Sequence, residues 1–239
     1  MDIAYRFGDP SKLYLNVTNR CTNRCGFCIR YHADGVGGSS LWGGSEPDLD
    51  TLLTAVEAMR GPEPFREITW CGFGEPTYRL DLVMAAAPHL RGASRSVRLN
   101  TNGHACLIHG RDVLPELAAA VDDISVSLNA PSRRRYLELC RPDTASVGPA
   151  GPGAPEGQSG PEGSRAKAGQ AAIAADPRDP SHESMPRDFW EATLDFLARS
   201  PGRFRSVQAS VVGAVLTPDE IEASRELARS LGVELFRVR

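Results

Sequence analysis

A chain of 239 residues with 41% hydrophobic side chains can bury a sizeable core, as one domain or as one domain with an appendage. Its formal net charge of −3 and pI near 6.0 carry no basic footprint for nucleic acid beyond what a local groove could supply. Six cysteines, three clustered and Cys71, Cys106 and Cys140 scattered, are not a disulfide framework. With no apolar signal core near Met1 and no run of membrane-spanning length, a soluble protein of the reducing cytoplasm, without a membrane partner, is expected.

In chain order, Lys12 to Thr18 reads as the first strand, and a cysteine loop and a glycine-rich span follow it to Gly44. Asp48 or Asp50 can cap a helix from Leu49 to Met59, which Gly61-Pro62 stops. Glu67 to Gly72 is the second strand, and Leu80 to Ala87 a short apolar helix ending near Pro88. Ser96 to Asn100, helix Val113 to Val121, strand Asp123 to Leu128, and a helix capped by Ser132 and running to Cys140 come next. From Thr144 to Gly163 ten of twenty residues are Gly or Pro, and large apolar side chains stay scarce to about Pro186. Such a stretch buries too little surface to offset its ordering entropy, so 144–186 is expected to be a disordered insertion. Order is expected to resume with helix Phe189 to Ala198, strand Ser206 to Leu216, helix Ile221 to Leu231 behind Thr217-Pro218-Asp219-Glu220, and strand Val233 to Val238.

Strands alternating with amphipathic helices predict an α/β fold with a parallel sheet and right-handed crossovers. Six repeats are too few for an eight-fold barrel. A partial (β/α)6 barrel is expected, built from residues 1–143 and 187–239.

The chemistry concentrates in Cys21-Thr22-Asn23-Arg24-Cys25-Gly26-Phe27-Cys28, beyond the end of the first strand. Thiolates favour iron–sulfur clusters or zinc. Three of them leave one iron of a four-iron cubane open, whereas a closed zinc site wants a fourth ligand, for which His32 is the nearest histidine. Gly72-Phe73-Gly74-Glu75-Pro76 follows the second strand, and glycines there let backbone approach a ligand closely. The third strand runs into Thr101-Asn102-Gly103. The fourth places Ser125, Ser127 and Asn129 on one face and Ile124, Val126 and Leu128 on the other. Cys71 and Cys140 read first as small hydrophobes. His104 and His109 are candidate proton donors without a recognisable partner. Arg133, Arg134 and Arg135 read first as a solvated helix start and second as an anion site.

The cysteine spacing resembles the cluster motif of the radical S-adenosylmethionine (SAM) superfamily, and the glycine stretch resembles its Gly-Gly-Glu-Pro motif, here interrupted by Phe73 as in the Gly-Met-Gly-Glu-Pro form of the RNA-methylating branch. The resemblance implies a 4Fe-4S cluster on Cys21, Cys25 and Cys28, with SAM chelating the open iron and Phe27 beside the adenine. It implies that Gly74 and Glu75, with Gly72, hold the SAM amine. Thr101 would face the site mouth, and Ser127 and Asn129 would reach the ribose or carboxylate. It also implies an enzyme that cleaves SAM to a 5′-deoxyadenosyl radical, supplied with electrons by a flavodoxin- or ferredoxin-type reductant. Tyr5 to Pro10, Asn16 to Cys21, Trp70 to Thr77 and Ser125 to Pro131 resemble the group of these proteins associated with TatD-type nucleases, and so imply a link to such a nuclease. The insertion departs from that group. No cysteine lies beyond Cys140, which disfavours the auxiliary-cluster peptide maturases. The substrate stays open between nucleotide or RNA and peptide or protein. A binding protein that holds zinc or a cluster without catalysis is the alternative from another class.

Overall fold

The computed structural model describes residues 1–143, 147 and 188–239; the 144–186 segment therefore lies almost wholly outside the described residues. A seven-stranded sheet runs through the molecule in the order β1 (Ala4–Tyr5), β2 (Lys12–Leu15), β5 (Glu67–Trp70), β6 (Val97–Thr101), β7 (Asp123–Ser127), β8 (Ser206–Val211) and β9 (Leu235–Val238). Only β1 is antiparallel, pairing Ala4 with Leu15 and Tyr5 with Tyr14. The other six are parallel neighbours, as the six repeats predict. β2 and β9 lie at opposite ends of this parallel run and are not paired with each other, so the sheet is an open, partial barrel.

The connecting helices are α1 (Leu49–Ala58), α2 (Leu80–Ala93), α3 (Ala105–His109), α4 (Leu114–Ala120), α5 (Arg133–Cys140), α6 (Phe189–Arg199) and α7 (Pro218–Ser230). Their starts follow local chemistry. Asp48, Ser132 and Asp188 accept from backbone amides at the heads of α1, α5 and α6. Thr217 and Glu220 form a reciprocal capping box behind Pro218.

Register separates the two faces of the sheet. Leu13, Ile68, Val97, Ile124, Val207 and their i+2 partners share one parity, and most join the helices in a single buried cluster. The other parity carries Lys12, Tyr14, Glu67, Thr69, Arg98, Asn100, Ser125, Ser127, Gln208, Ser210 and Arg237. This inner face is polar, unlike the packed interior of a closed eight-fold barrel.

Three local expectations need correction. The second helix does not stop near Pro88 but continues to Ala93 with Pro88 inside it. Pro88 is exposed, while Val83, Ala86, Ala87 and Leu90 hold the buried side of the helix. The strand beginning at Ser206 ends at Val211 instead of Leu216, because Gly213 turns into a 3-10 segment and donates to the Arg239 carbonyl at 2.9 Å. The glycine-rich span is not all loop. Gly35–Val36 pairs with Ser39–Ser40 as β3 and β4, and Gly37 and Gly38 supply the two left-handed residues of the turn at φ 61 and 87. β1 and α3 are additions that the periodicity was too short to announce.

Candidate cofactor site at the carboxyl ends of the strands

The cysteine loop leaves the end of β2 and lies over the carboxyl ends of the parallel strands, the end where such sheets bind ligands. Cys21, Cys25 and Cys28 are all free thiols of intermediate burial. The Cys21 sulfur accepts from the Asn23 amide at 3.4 Å and from Asn102 Nδ2 at 3.9 Å. Cys25 meets Cys140, and Cys28 begins a short 3-10 turn, Ile29–Tyr31. Burial pushes the Cys21 thiol up to about 12 and raises Cys28, while contact with Cys140 and burial together raise Cys25. The Arg30 guanidinium opposes all three shifts.

Arg30 is a site residue that the sequence reading missed. Only 5% of it is exposed. It donates to the carbonyls of Asn19 at 3.3 Å, Phe73 at 3.4 Å and Asn23 at 3.1 Å, and to the Tyr31 hydroxyl at 2.8 Å. One buried cation thus ties the cysteine loop to the glycine stretch and sits within electrostatic reach of Cys21, Cys25 and Cys28.

The glycine stretch is packed against the chain itself. A Cβ at Gly72 would fall 2.1 Å from Asn16 Oδ1, and one at Gly74 would fall 2.4 Å from the Thr18 carbonyl and 2.6 Å from that of Arg20. Both positions exclude any other residue because they seat the loop on the end of β2, whereas the expectation was close approach to a ligand. Glu75 is 3% exposed. Its carboxylate accepts from Thr77 Oγ1 and Thr101 Oγ1, each at 2.8 Å, and from the Asn102 amide at 2.7 Å. Desolvation raises its pKa against these donors. Thr101, expected at the mouth, lies on the apolar parity of β6 and spends its hydroxyl on Glu75.

Beneath the loop runs a buried polar chain. Asn102 Nδ2 donates to Thr22 Oγ1 at 2.7 Å, and Thr22 Oγ1 lies 2.7 Å from His104 Nδ1. His104 Nε2 meets the Tyr136 hydroxyl at 2.9 Å and Thr193 Oγ1 at 3.2 Å. Asn23 Nδ2 returns to the Tyr136 hydroxyl at 3.2 Å. Burial lowers the His104 pKa to about 3, so the ring is neutral. His104 therefore has the partners that its sequence neighbourhood did not reveal. His109 lies outside this network, bonded to the Thr77 carbonyl at 2.7 Å.

Ser127 lies on the inner face and accepts from Arg239 Nη2 at 3.1 Å. Asn129 is 3% exposed and left-handed at φ 62. Its amide nitrogen reaches Cys140 at 3.6 Å, while among the described residues its buried Oδ1 has no partner. Leaving such an atom unmet costs about 1–3 kcal/mol. Phe27 packs at the edge of the main core. Cys71 stands beside Tyr5 and Asn100, and Cys140 beside Cys25 and Asn129. The run Arg133–Arg135 is spent on Asp188, Glu138 and Glu220, which bears out its reading as a helix surface. His32 donates to the Gly26 carbonyl at 3.2 Å.

Among the described residues no three His, Cys, Asp or Glu side chains converge as ligands of a single metal ion. A cubane distributes three cysteine ligands over three irons and so needs wider spacing than one zinc ion. Three free thiols on one loop, with the Arg30 guanidinium acting on each, form a donor set that fits a cluster.

Fold and site together define an α/β partial barrel that carries a thiol loop over the strand ends. The chain belongs to the radical SAM superfamily, whose profile matches residues 15–147, more than half of its length. Members use a 4Fe-4S cluster and SAM, and these are the cofactors of this chain. Among solved structures, the fold is similar to methylornithine synthase (PylB), with a TM-score of 0.54 and 10% identity over 95% of this chain and 52% of that one. It is also similar to Streptococcus suis SuiB, solved bound to precursor peptide SuiA, with a TM-score of 0.57 and 13% identity over 96% of this chain and 39% of that one. The chain thus spans about half or less of the length of these two structures, and the likeness is one of fold. No curated protein matches the chain. Among the described residues no helix is long and apolar enough to cross a membrane.

Proposed function

We propose that this chain is a radical SAM enzyme that holds its cluster on Cys21, Cys25 and Cys28 and acts on a substrate seated against the inner face of the sheet. The observation that carries this reading is the hydrogen-bonded path from Glu75 through Asn102 to Thr22 and Cys21. It joins the glycine stretch to the thiol loop across 80 residues of sequence between Thr22 and Asn102. When bound, the cluster and SAM supply a 5′-deoxyadenosyl radical able to remove a hydrogen atom from a carbon centre.

The remaining work falls to the protein. Ligation needs thiolates, so loading releases protons from Cys21, Cys25 and Cys28, and Arg30 favours the charged forms. Glu75 is held rigid by Thr77, Thr101 and Asn102, and in turn fixes the turn that would hold the SAM amine. Asn129, Ser127 and Phe27 would hold SAM on the side away from Glu75, Asn129 through its Oδ1. Thr101 serves by anchoring Glu75. Trp70, Leu99 and Val126, fully buried behind the strands, keep water from the far side.

Anaerobic reconstitution tests the reading. Four irons per chain, a brown colour and SAM cleavage on reduction are expected, with iron content lost in Cys21→Ala, Cys25→Ala or Cys28→Ala. A colourless protein holding one zinc would overturn it and favour the non-catalytic alternative. A flavodoxin- or ferredoxin-type electron donor, a cytoplasmic setting consistent with six free thiols, and a functional link to a TatD-type nuclease are parts of the same proposal. The last rests on the sequence resemblance.

A further inference from the structure

Among the described residues Arg30 is the only arginine or lysine that is buried. Both terminal nitrogens of its guanidinium are fully spent. Nη1 donates to the carbonyls of Asn19 and Phe73, and Nη2 to the Asn23 carbonyl and the Tyr31 hydroxyl. The remaining N–H, on Nε, is buried and meets no acceptor among the described residues. The guanidinium also lies on the Tyr31 ring, 4.9 Å from its centroid, and the Arg30 carbonyl accepts from Trp42 Nε1 at 3.0 Å. The residue is therefore held at its head and at its backbone, and its charge is fixed in place. Three of its acceptors are peptide carbonyls and one is a hydroxyl; none is a carboxylate. The ionisable groups that act on it are Cys21, Tyr31 and Cys28, and it acts in turn on Cys21, Cys25 and Cys28. Holding a cation out of water is costly unless opposite charge lies close by. Of the groups around Arg30, the thiols are the ones that lose a proton on loading with iron.

We propose that Arg30 is the fixed counter-ion of the iron–sulfur centre, and that its charge makes the centre easier to reduce by an external one-electron donor. The inference rests on the reading of Cys21, Cys25 and Cys28 as cluster ligands, and it deepens that reading by assigning a residue that sets the potential. The potential of such a centre follows the net charge and the hydrogen bonding around its sulfurs. Taking up one electron adds negative charge near a guanidinium that keeps its proton at any working pH. The reduced state therefore gains more from Arg30 than the oxidised state does. The bonds to Asn19, Phe73 and Asn23 hold the charge where it acts. A residue that only tied the cysteine loop to the glycine stretch would alter folding and iron content, and would leave the potential unchanged.

The test uses the full chain, reconstituted anaerobically as wild type, Arg30→Lys, Arg30→Gln and the surface control Arg134→Gln. Each is titrated with titanium(III) citrate in the absence of SAM, and the reduced fraction is read from the electron paramagnetic resonance of the centre. Iron content and thermal melting are measured on the same samples. Arg30→Gln is expected to shift the reduction equilibrium about tenfold or more toward the oxidised state, which for one electron is a potential about 59 mV more negative. Arg30→Lys keeps the charge without the planar fork and should stay within about threefold of wild type, and Arg134→Gln should not move. An Arg30→Gln chain that folds but loads no iron, beside an Arg30→Lys chain that loads it at the wild-type potential, also supports the proposal. Equal potentials in wild type and Arg30→Gln overturn it. An equal fall in Arg30→Lys and Arg30→Gln, or loss of iron from both, overturns it too, since the fork's bonds and not its charge would then be the requirement. The functional reading fails separately, in a wild type that assembles no four-iron cluster.

Discussion

The two faces of the same six parallel strands are built for different tasks. Behind the strands, Leu15, Ile68, Trp70, Val97, Leu99, Ile124, Val126 and Ala209 are wholly buried against the helices, and their area removed from water holds the fold. In front of them, at alternate positions, Asn100, Ser125, Ser127 and Gln208 are half-buried on the opposite, polar face. A strand can serve both because successive side chains point to opposite faces. Stability and ligand chemistry are thereby separated by a single residue along each strand, and a substitution should express one or the other according to parity.

The largest effect should come from the buried face. Trp70→Ala removes a fully buried indole and is expected to cost about 3–5 kcal/mol in denaturant unfolding. A loss below about 1 kcal/mol would break the comparison. Acid is the next largest lever. His104 is neutral in the fold, with a pKa near 3, while its unfolded value is about 6.5. A depressed histidine pKa gives stability that is full above the unfolded value and drains away as pH falls, because only the unfolded state takes up the proton. Between pH 6.5 and 4.5 the wild type should lose about 2–3 kcal/mol from this group. His104→Gln, though less stable at neutral pH, should show a correspondingly shallower fall in its urea midpoint. Parallel curves would exclude the buried histidine as the cause.

Gly74→Ala should cost about 1–3 kcal/mol from overpacking against the Thr18 and Arg20 carbonyls. Unlike Trp70→Ala, it should also lower iron content in the surviving folded protein, because it unseats the thiol loop. Retained iron would show that the loop adjusts independently of the glycine. The finest comparison uses neighbours in β7. Ser125→Ala should change stability by no more than about 0.5 kcal/mol, whereas Val126→Ala, one residue on, should cost about 1–3 kcal/mol. A reversal of that order would mean that the two faces are wrongly assigned.

Much of this contrast is legible in the linear chain. Ile124, Val126 and Leu128 alternating with Ser125, Ser127 and Asn129 predict the two faces of β7, and the structure keeps that alternation. Thr101 shows the limit. Its place after the third strand looked like a position at the mouth, yet its parity with Leu99 turns the hydroxyl toward Glu75. The turn at Gly37-Gly38 was within reach, since two glycines between short extended segments signal a hairpin. Arg30 had no such signal. A cation two residues after the last cysteine looks like surface until the loop folds over it.

By itself the sequence determined the number and order of the βα units, the thiol spacing and the polarity of each strand face, because these follow from backbone periods that repeat every two or 3.6 residues. Tertiary structure alone decided which polar groups meet. Thr22 finds His104 across 82 residues and Asn23 finds Tyr136 across 113. Such meetings depend on sheet register and on the path of each crossover, which close distances that no local period encodes.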